Sequence, residues 1–233
     1  GEILLRGPMV FSGYYKNEEA TKETVDADGW MATGDAGIIT DDGQLKVIDR
    51  AKDVSKLING TVFAPQFIEN KLKFSPYIKE AVCFGREREF VSAMVNIDLD
   101  ALEVWAEREN VTYSGYQELS QKAEVYDLVN NEMVRINANI AQDSALAGAQ
   151  VTRFLILNKE LDADDGEITR TRKIRRTVIA DRYGALIAAL YEGGLTQVET
   201  DIVVTYEDGT TGAIHADLRI MDVTSSASVR AAA

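Results

Sequence analysis

The amino-acid sequence predicts an α+β fold, on the basis of three observations. Short apolar runs bounded by turn residues recur along the chain, as at 78–84 and 91–97, and indicate strands. Apolar residues recur every three or four positions from 119 to 140, which indicates a long amphipathic helix. A second helix is predicted over 177–191, with its apolar residues on one face. The central strands are expected to form a small domain of about three strands covered by helices.

Strand and turn signals dominate the first fifty residues, where strands are predicted at 2–6, 36–40 and 44–49. The first strand ends at Gly7-Pro8, and Asp41-Asp42-Gly43 joins the other two as a hairpin turn. A short polar helix between the first two strands ends at Thr24, and Asn17 is in position to cap it.

The middle of the chain is predicted to contain both helices and strands. Residues 50–60 are polar and irregular, which indicates a linker. Pro65 then begins a helix, because its fixed φ suits the first helical turn. Asp100 is expected to cap a further helix that ends at Arg108. A buried strand is predicted at 154–157.

The end of the chain is predicted to be a β-hairpin. Gly193-Gly194 ends the helical pattern, and apolar residues then alternate over 198–206 and 213–221, on either side of Asp208-Gly209. Residues 225–233 are small and polar, which indicates disorder.

Composition excludes several classes of function. The net charge of −13 argues against nonspecific binding to nucleic acid, which needs basic residues against the phosphates. Cys83 is the only cysteine and His215 the only histidine, which excludes an internal disulfide, a His/Cys zinc cluster and, unless His215 itself serves, a Ser-His-Asp arrangement. We expect Cys83 to be a small buried hydrophobe and His215 to point outward. No apolar run approaches the roughly 20 residues that cross a bilayer. These features favour a cytoplasmic location, with peripheral membrane association left open.

Two segments carry the candidate chemistry. The first contains Thr33-Gly34-Asp35 and, after a hairpin, Asp49-Arg50-Ala51-Lys52-Asp53. The second, 165–176, places Lys173 among four arginines in a chain that is otherwise acidic. A carboxylate accepts hydrogen bonds from hydroxyl groups, and basic side chains suit phosphates. The two segments are therefore expected to meet across a nucleotide.

Five motifs, in their order and spacing, resemble those of the adenylate-forming ligases, and within them the long-chain fatty-acid–CoA ligases. They are GEILLRGP at 1–8, GYY at 13–15, GW followed by TGD at 29–35, DRAKD at 49–53 and APQFIEN at 64–70, and the Lys173 segment follows them. The likeness covers about residues 1 to 190. The predicted helical insert from Gly115 to Asp143 favours the long-chain type, which carries such an insert, over compact members of the superfamily.

This resemblance implies a large N-terminal domain joined by a hinge to a small mobile C-terminal lid domain. The expected boundaries are 1–49 for the end of the large domain, 50–53 for the hinge, 54–191 for the lid, 192–223 for a β-hairpin extension and 224–233 for a disordered tail. Because the chain begins at Gly1 inside a predicted strand, we expect it to be part of a longer protein. Residues 1–49 should be the least stable part, since the strands with which they would pair are absent.

The resemblance also implies roles for three residues near the hinge. Asp35 matches the aspartate that binds the ribose hydroxyls of ATP, and the alternative is a carboxylate that caps a turn. Arg50 matches the arginine that also reaches the ribose, and the alternative is a surface salt bridge. Lys52 falls at the hinge position, where the backbone turns as the lid rotates. The alternative for Lys52 is a solvated side chain in a charged loop.

Lys173 matches the lysine of the C-terminal motif, which approaches the carboxylate and the α-phosphate during adenylation. A mobile ammonium can offset charge that develops in such a displacement. The alternative is a basic patch that binds nucleic acid or acts as a targeting signal. Arg172 stands where many relatives outside the long-chain group have glycine, and Gly60 matches a glycine beside the pantetheine tunnel of CoA. Glu69 is interpreted as a surface charge, and no residue is assigned to a metal.

The function expected from the resemblance is ATP-dependent activation of a fatty acid as acyl-AMP, followed by transfer to CoA. The implied cofactors are ATP, Mg²⁺ and CoA, and the implied partners are the fatty acid and the missing N-terminal domain. Because the phosphate-binding loop and the fatty-acid tunnel belong to that domain, the chain alone is expected to be inactive. Two alternatives stay open: a stand-alone lid that acts as a binding or regulatory module, and another acid-activating ligase of the same superfamily.

Overall fold

The computed structural model describes residues 1–205 and 210–224 and confirms the predicted mixture of helices and strands. The strands are β1 (Glu2–Leu5), β2 (Met31–Ile39), β3 (Leu45–Arg50), β4 (Ser55–Lys56), β5 (Val62–Phe63), β6 (Ile78–Phe84), β7 (Val91–Ile97), β8 (Val151–Ile156), β9 (Gln197–Thr205) and β10 (Thr211–Asp222). The helices are α1 (Glu18–Thr24), α2 (Pro65–Leu72), α3 (Leu99–Glu109), α4 (Tyr116–Ser120), α5 (Ala123–Ile140), α6 (Arg176–Arg182) and α7 (Gly184–Leu190).

The first fifty residues form an antiparallel sheet in the order β1-β2-β3. Asn17 caps α1 as predicted, because its side chain accepts a hydrogen bond of 3.0 Å from the Ala20 amide. β2 begins five residues before the predicted strand, at Met31 instead of 36. β2 starts earlier because β1 pairs with it over its first residues, the last pair being Leu5 opposite Met31.

A second sheet, in the order β6-β7-β8-β10-β9, forms the centre of the rest of the chain. β7 and β8 are parallel, and the other neighbouring strands are antiparallel. Helices α2, α3 and α5 cover one face, and α6 and α7 cover the other. Every residue of β7 is buried, including the polar Ser92 and Asn96, which explains why this strand shows no strict apolar–polar alternation in the sequence.

The terminal hairpin belongs to this second sheet. β9 and β10 pair in antiparallel register as predicted, and β10 also pairs with β8, from Ile220 opposite Leu155 to Asp222 opposite Arg153. The sheet therefore has five strands where about three were expected. Apolar alternation identifies the inward face of a strand but does not identify its second neighbour. The predicted turn at 208–209 and the predicted disorder at 225–233 lie outside the described residues.

Two predicted boundaries in the middle of the chain were wrong. The cap of α3 is Asp98, whose side chain accepts a hydrogen bond of 3.1 Å from the Ala101 amide, and not Asp100, which lies inside the helix. The predicted linker over 50–60 contains β4, which forms a two-stranded ladder with β5.

Each of the two long predicted helices is divided. The first breaks between α4 and α5, where Gln121 leaves helical geometry and its side-chain Nε2 donates a hydrogen bond of 2.9 Å to the Ile156 carbonyl. The second breaks between α6 and α7 at Tyr183, whose hydroxyl donates to buried Glu167 at 2.6 Å. Neither break interrupts the three-to-four-residue spacing of apolar side chains in the sequence. The reason is that the two helices on either side of each break pack against the same core. No helix within the described ranges is long and apolar enough to span a membrane.

Candidate functional site

A cleft of about 710 Å³ lies where the first sheet meets α2 and the Lys173 segment. Its wall is formed by Gly34 and Asp35 in the middle of β2, by the end of β3 and the residues that follow it up to 53, by one side of α2 and by residues of the 172–176 segment. Four of the residues singled out in the sequence line this one cleft: Asp35, Arg50, Lys52 and Lys173. The tertiary structure therefore brings together two segments that are more than a hundred positions apart.

The cleft wall is more basic than the chain as a whole. Its basic side chains are Arg50, Lys52, Lys73, Arg172, Lys173 and Arg176, and its acidic side chains are Asp35, Asp49, Asp53 and Glu69. The wall thus carries more positive than negative charge in a chain whose net charge is −13. A concave, net positive surface of this kind favours an anionic ligand such as a phosphate group.

Asp35 and Arg50 face each other across β2 and β3. The Arg50 guanidinium donates a hydrogen bond of 2.8 Å to the Asp35 carboxylate, and both side chains remain accessible, at 53% and 38% exposure. An ion pair this exposed contributes little to stability, at most about 1 kcal/mol. Gly34, beside Asp35, has a φ of +72°, a conformation that glycine adopts without steric cost. This pair is therefore available to exchange its contacts for those of a ligand.

Asp49 joins the first sheet to α2. Its carboxylate is 3% exposed and accepts hydrogen bonds of 2.7 Å each from the backbone amides of Gln66 and Arg50. Ala64, at the N-cap of α2, offers no capping side chain, so Asp49 serves as the cap from a distant part of the chain. Burial raises the pKa of Asp49, and the hydrogen bonds to these amides oppose the rise.

Lys173 lies in a tight loop whose base is the bridge between Ile168 and Ile174. The Thr169 amide donates to the Lys173 carbonyl at 2.8 Å, and the Lys173 amide donates to the Thr169 hydroxyl at 3.0 Å. The Lys173 side chain is exposed, and within residues 1–205 and 210–224 its ammonium forms no salt bridge. The loop thus presents a free cation to the cleft.

Three buried carboxylates hold this loop. Glu80 of β6 is 4% exposed and binds Arg172 at 3.1 Å and Lys73 at 3.2 Å. Arg172 has a φ of +57°, a conformation that glycine adopts more readily than other residues, and the ion pair with Glu80 holds its side chain.

Glu69 of α2 is the second of these carboxylates, and the prediction of a surface charge was wrong. It is 3% exposed, and its two oxygens accept hydrogen bonds of 2.9 and 2.7 Å from Arg176. The sequence did contain a signal: Glu69 lies on the helical stripe of Pro65, Ile68 and Leu72, which are all buried. A carboxylate on such a stripe needs a buried partner.

Glu167 is the third carboxylate and lies at the base of the loop. It is fully buried and accepts hydrogen bonds from Lys159, Arg182 and the Tyr183 hydroxyl, at 2.8, 2.8 and 2.6 Å. Its backbone carbonyl accepts from the Arg175 amide at 2.9 Å. The backbone of Glu167 therefore joins the two ends of the loop that carries Lys173, and its side chain anchors that backbone to buried cations.

The remaining predicted residues lie in or near the cleft in different ways. Lys52 lines it, and its carbonyl accepts a hydrogen bond of 3.0 Å from Arg86. Gly60 does not line this cleft; it has a φ of +87° in the turn between β4 and β5. As predicted, Cys83 is buried and His215 is exposed. Burial raises the pKa of the Cys83 thiol well above its usual value.

The described residues contain no group of three or more His, Cys, Asp or Glu side chains that could hold a metal ion.

Comparison with known proteins places the chain in a family. Residues 52–194 match the model of the AMP-binding enzyme C-terminal domain. The chain is 36% identical over 195 residues to the long-chain-fatty-acid–CoA ligase FadD15 of Mycobacterium tuberculosis, which covers 82% of this chain and 31% of that protein. It is 34% identical over 193 residues to the human long-chain-fatty-acid–CoA ligase 1, covering 82% of this chain and 27% of the human protein. The chain thus spans about a third or less of these relatives.

Solved structures show the same fold. The adenylation domain of a carboxylate reductase from Mycobacterium chelonae superimposes with a TM-score of 0.61 at 26% identity, covering 82% of this chain and 27% of that domain. The matched family segment contains Lys52, Gly60 and Lys173, whereas Asp35 and Arg50 precede it. Both the family match and the structural likeness confirm the resemblance stated from the motifs. The chain belongs to the family of AMP-binding enzyme C-terminal domains.

Proposed function

We propose that this chain is the hinge and lid portion of an ATP-dependent long-chain fatty-acid–CoA ligase. The single observation that carries the proposal is the convergence of Asp35, Arg50, Lys52 and Lys173 on one net positive cleft. Residues 50–53 act as the hinge, and the sheet of residues 1–49 is the end of the larger domain. A cytoplasmic location belongs to this proposal and is supported by the single buried cysteine.

The proposed site binds the nucleotide through its two sides. Asp35 accepts hydrogen bonds from the ribose hydroxyls. To allow this, the Arg50 guanidinium gives up part of its hydrogen bonding to Asp35 and donates to the same sugar. Lys173 approaches from the lid, where its ammonium faces the α-phosphate. The fatty-acid carboxylate attacks the α-phosphorus, a carboxyl oxygen–phosphorus bond forms, and the bond to pyrophosphate breaks. A free ammonium stabilises the negative charge that develops on the phosphoryl oxygens.

The second proposed step transfers the acyl group to CoA. The thiolate of CoA attacks the acyl carbon, a thioester forms, and AMP leaves as the bond between that carbon and the phosphate oxygen breaks. Rotation of the lid at the hinge, with Lys52 at the pivot, removes Lys173 from the nucleotide. Gly60 lies in the turn between β4 and β5, seven residues after the hinge. Because glycine has no Cβ, a thin chain can pass close to its backbone, which supports the proposal that Gly60 borders the path of the pantetheine chain.

The first sheet supports the proposal that a larger portion of the enzyme packs against this chain. Ile39, Leu45 and Val47 share one face of that sheet and are 70%, 52% and 58% exposed. Apolar side chains grouped in this way mark an interface. The same face suits a second candidate, in which the chain is a separate lid that docks onto an N-terminal partner.

A chimaera tests the proposal: the N-terminal portion of the mycobacterial relative followed by this chain, assayed with ATP, palmitate and CoA. We expect the chimaera to form acyl-CoA and the 233-residue chain alone to form none. Lys173→Ala should lower pyrophosphate release by about a hundredfold, whereas Lys56→Ala, an exposed lysine on β4, should leave it unchanged. Turnover by the chain alone would overturn the proposal that it is only the lid portion. Restored activity when the two portions are mixed as separate chains would favour the docking module.

A further inference from the structure

Among the ion pairs that cleft-lining side chains form within the described residues, the one between Glu69 and Arg176 is the most buried. Glu69 and Arg176 side chains are 3% and 29% exposed, and two hydrogen bonds of 2.9 and 2.7 Å join them in a bidentate arrangement. The Cys83 amide also donates to Glu69 at 2.8 Å. A bidentate guanidinium–carboxylate pair restricts both the distance and the orientation of its partners.

This pair links the two sides of the cleft through a short series of contacts. Arg176 is the first residue of α6 and follows Lys173 by three positions. Glu69 lies in α2, whose first turn is capped by Asp49. Asp49 directly precedes Arg50 in β3. The position of Lys173 relative to Arg50 therefore depends on a route that passes through the Glu69–Arg176 pair.

We propose that Glu69 is a positioning residue for adenylation: by holding Arg176 it keeps the Lys173 ammonium at the distance from the ribose side that the reaction needs. The inference rests on the proposed function, because it names a further residue of the same site. A displacement of about 1 Å in a catalytic group can lower a rate by about a hundredfold. Two parallel hydrogen bonds fix the orientation of the Arg176 guanidinium more tightly than a single contact would.

The first test is independent of activity. Spin labels at Arg170→Cys in the loop and Glu107→Cys on α3, both exposed positions, report the spread of distances between the loop and the lid core in the 233-residue chain. Glu69→Gln should broaden this distribution, because a neutral amide offers Arg176 only one acceptor. Glu160→Gln is the matched control: Glu160 also binds a cation through both oxygens, Lys79 at 2.9 and 2.7 Å, but lies outside the cleft. An unchanged distribution in a folded Glu69→Gln chain would overturn the inference.

The second test uses the chimaera. Glu69→Gln should lower kcat for pyrophosphate release by about ten- to a hundredfold, with little change in the KM for ATP. The transfer of the acyl group from supplied acyl-AMP to CoA should keep its rate, since Lys173 acts only in the first step. In a Lys173→Ala background, Glu69→Gln should cause no further loss. Equal losses in both half-reactions would show that Glu69 only stabilises the fold.

The two tests separate the inference from the proposed function. A chimaera that forms no acyl-AMP, with a broadened distance distribution in Glu69→Gln, would overturn the proposed function and leave the positioning of the loop by Glu69 supported. An active chimaera with a narrow distribution in Glu69→Gln would overturn the inference alone. Arg176→Lys provides a second variant. Lysine keeps the positive charge but cannot donate two parallel hydrogen bonds to Glu69, so this variant should also broaden the distribution of spin-label distances.

Discussion

Glu167 anchors the loop that presents Lys173, and replacing it tests how that loop is held. The side chain has no exposure to solvent. It accepts hydrogen bonds from Lys159 at 2.8 Å, the Asp162 amide at 3.0 Å, Arg182 at 2.8 Å and the Tyr183 hydroxyl at 2.6 Å. Glu167→Gln preserves the volume of the side chain but replaces one acceptor oxygen with an NH₂ group and removes the charge.

The structure sets the size of the expected effect. Removing one partner of a buried ion pair costs about 3–5 kcal/mol, because the remaining charge is left without compensation. Here Asp165 also contacts both cations, Lys159 at 2.8 Å and Arg182 at 3.5 Å. Neither cation is therefore left without a carboxylate, and we expect a loss near the lower limit, about 3 kcal/mol of unfolding free energy.

Urea unfolding, followed by the fluorescence of the tryptophans, measures this loss. With a denaturant slope of about 2 kcal/mol per M, the midpoint of Glu167→Gln should fall by about 1.5 M. The control Glu160→Gln removes a charge from a pair whose side chains are 31% and 38% exposed, so its cost should stay below about 1 kcal/mol. A Glu167→Gln midpoint equal to that of the control would refute the assignment of Glu167 as the buried anchor of the loop.

Three further predictions follow from the first sheet and the core. Asp49→Ala removes the cap of α2 and should lower the free energy of unfolding by about 1–2 kcal/mol, whereas Asp35→Ala, measured in the same thermal unfolding assay, should cost less than about 1 kcal/mol. Burial raises the pKa of Cys83 well above 9.0, so above pH 9 the native state keeps a proton that the unfolded chain loses. Unfolding free energy should therefore fall as the pH rises from 9 to 10, by up to about 1.4 kcal/mol per unit, and Cys83→Ala should remove the fall in that interval. Above pH 10 the buried Tyr116, Tyr126 and Tyr183, whose pKa values burial also raises, should keep a slope in both proteins. Limited proteolysis should cut residues 1–49 before 54–190, and early cleavage within 54–190 would contradict the expected weakness of the first sheet.

The sequence by itself determined the local structure and the family. Strand β7, the hairpin of β2 and β3, the Asn17 cap and the Pro65 start of α2 were predictable, because each depends on residues within a few positions of one another. The five motifs identified the family for the same reason, since each is a continuous run. The roles of Asp35, Arg50, Lys52, Gly60 and Lys173 remain predictions until the chimaera is assayed.

Only the tertiary structure decided how distant segments meet. Asp49 caps a helix that begins sixteen positions later in the chain, and Glu69 meets Arg176 at a separation of 107 positions. The break at Tyr183 and the pairing of β10 with β8 have the same origin. In each case a polar side chain or a backbone group loses its hydration when it is buried and must form a hydrogen bond with another group in the fold. That partner is selected by three-dimensional packing and leaves no periodic pattern in the sequence.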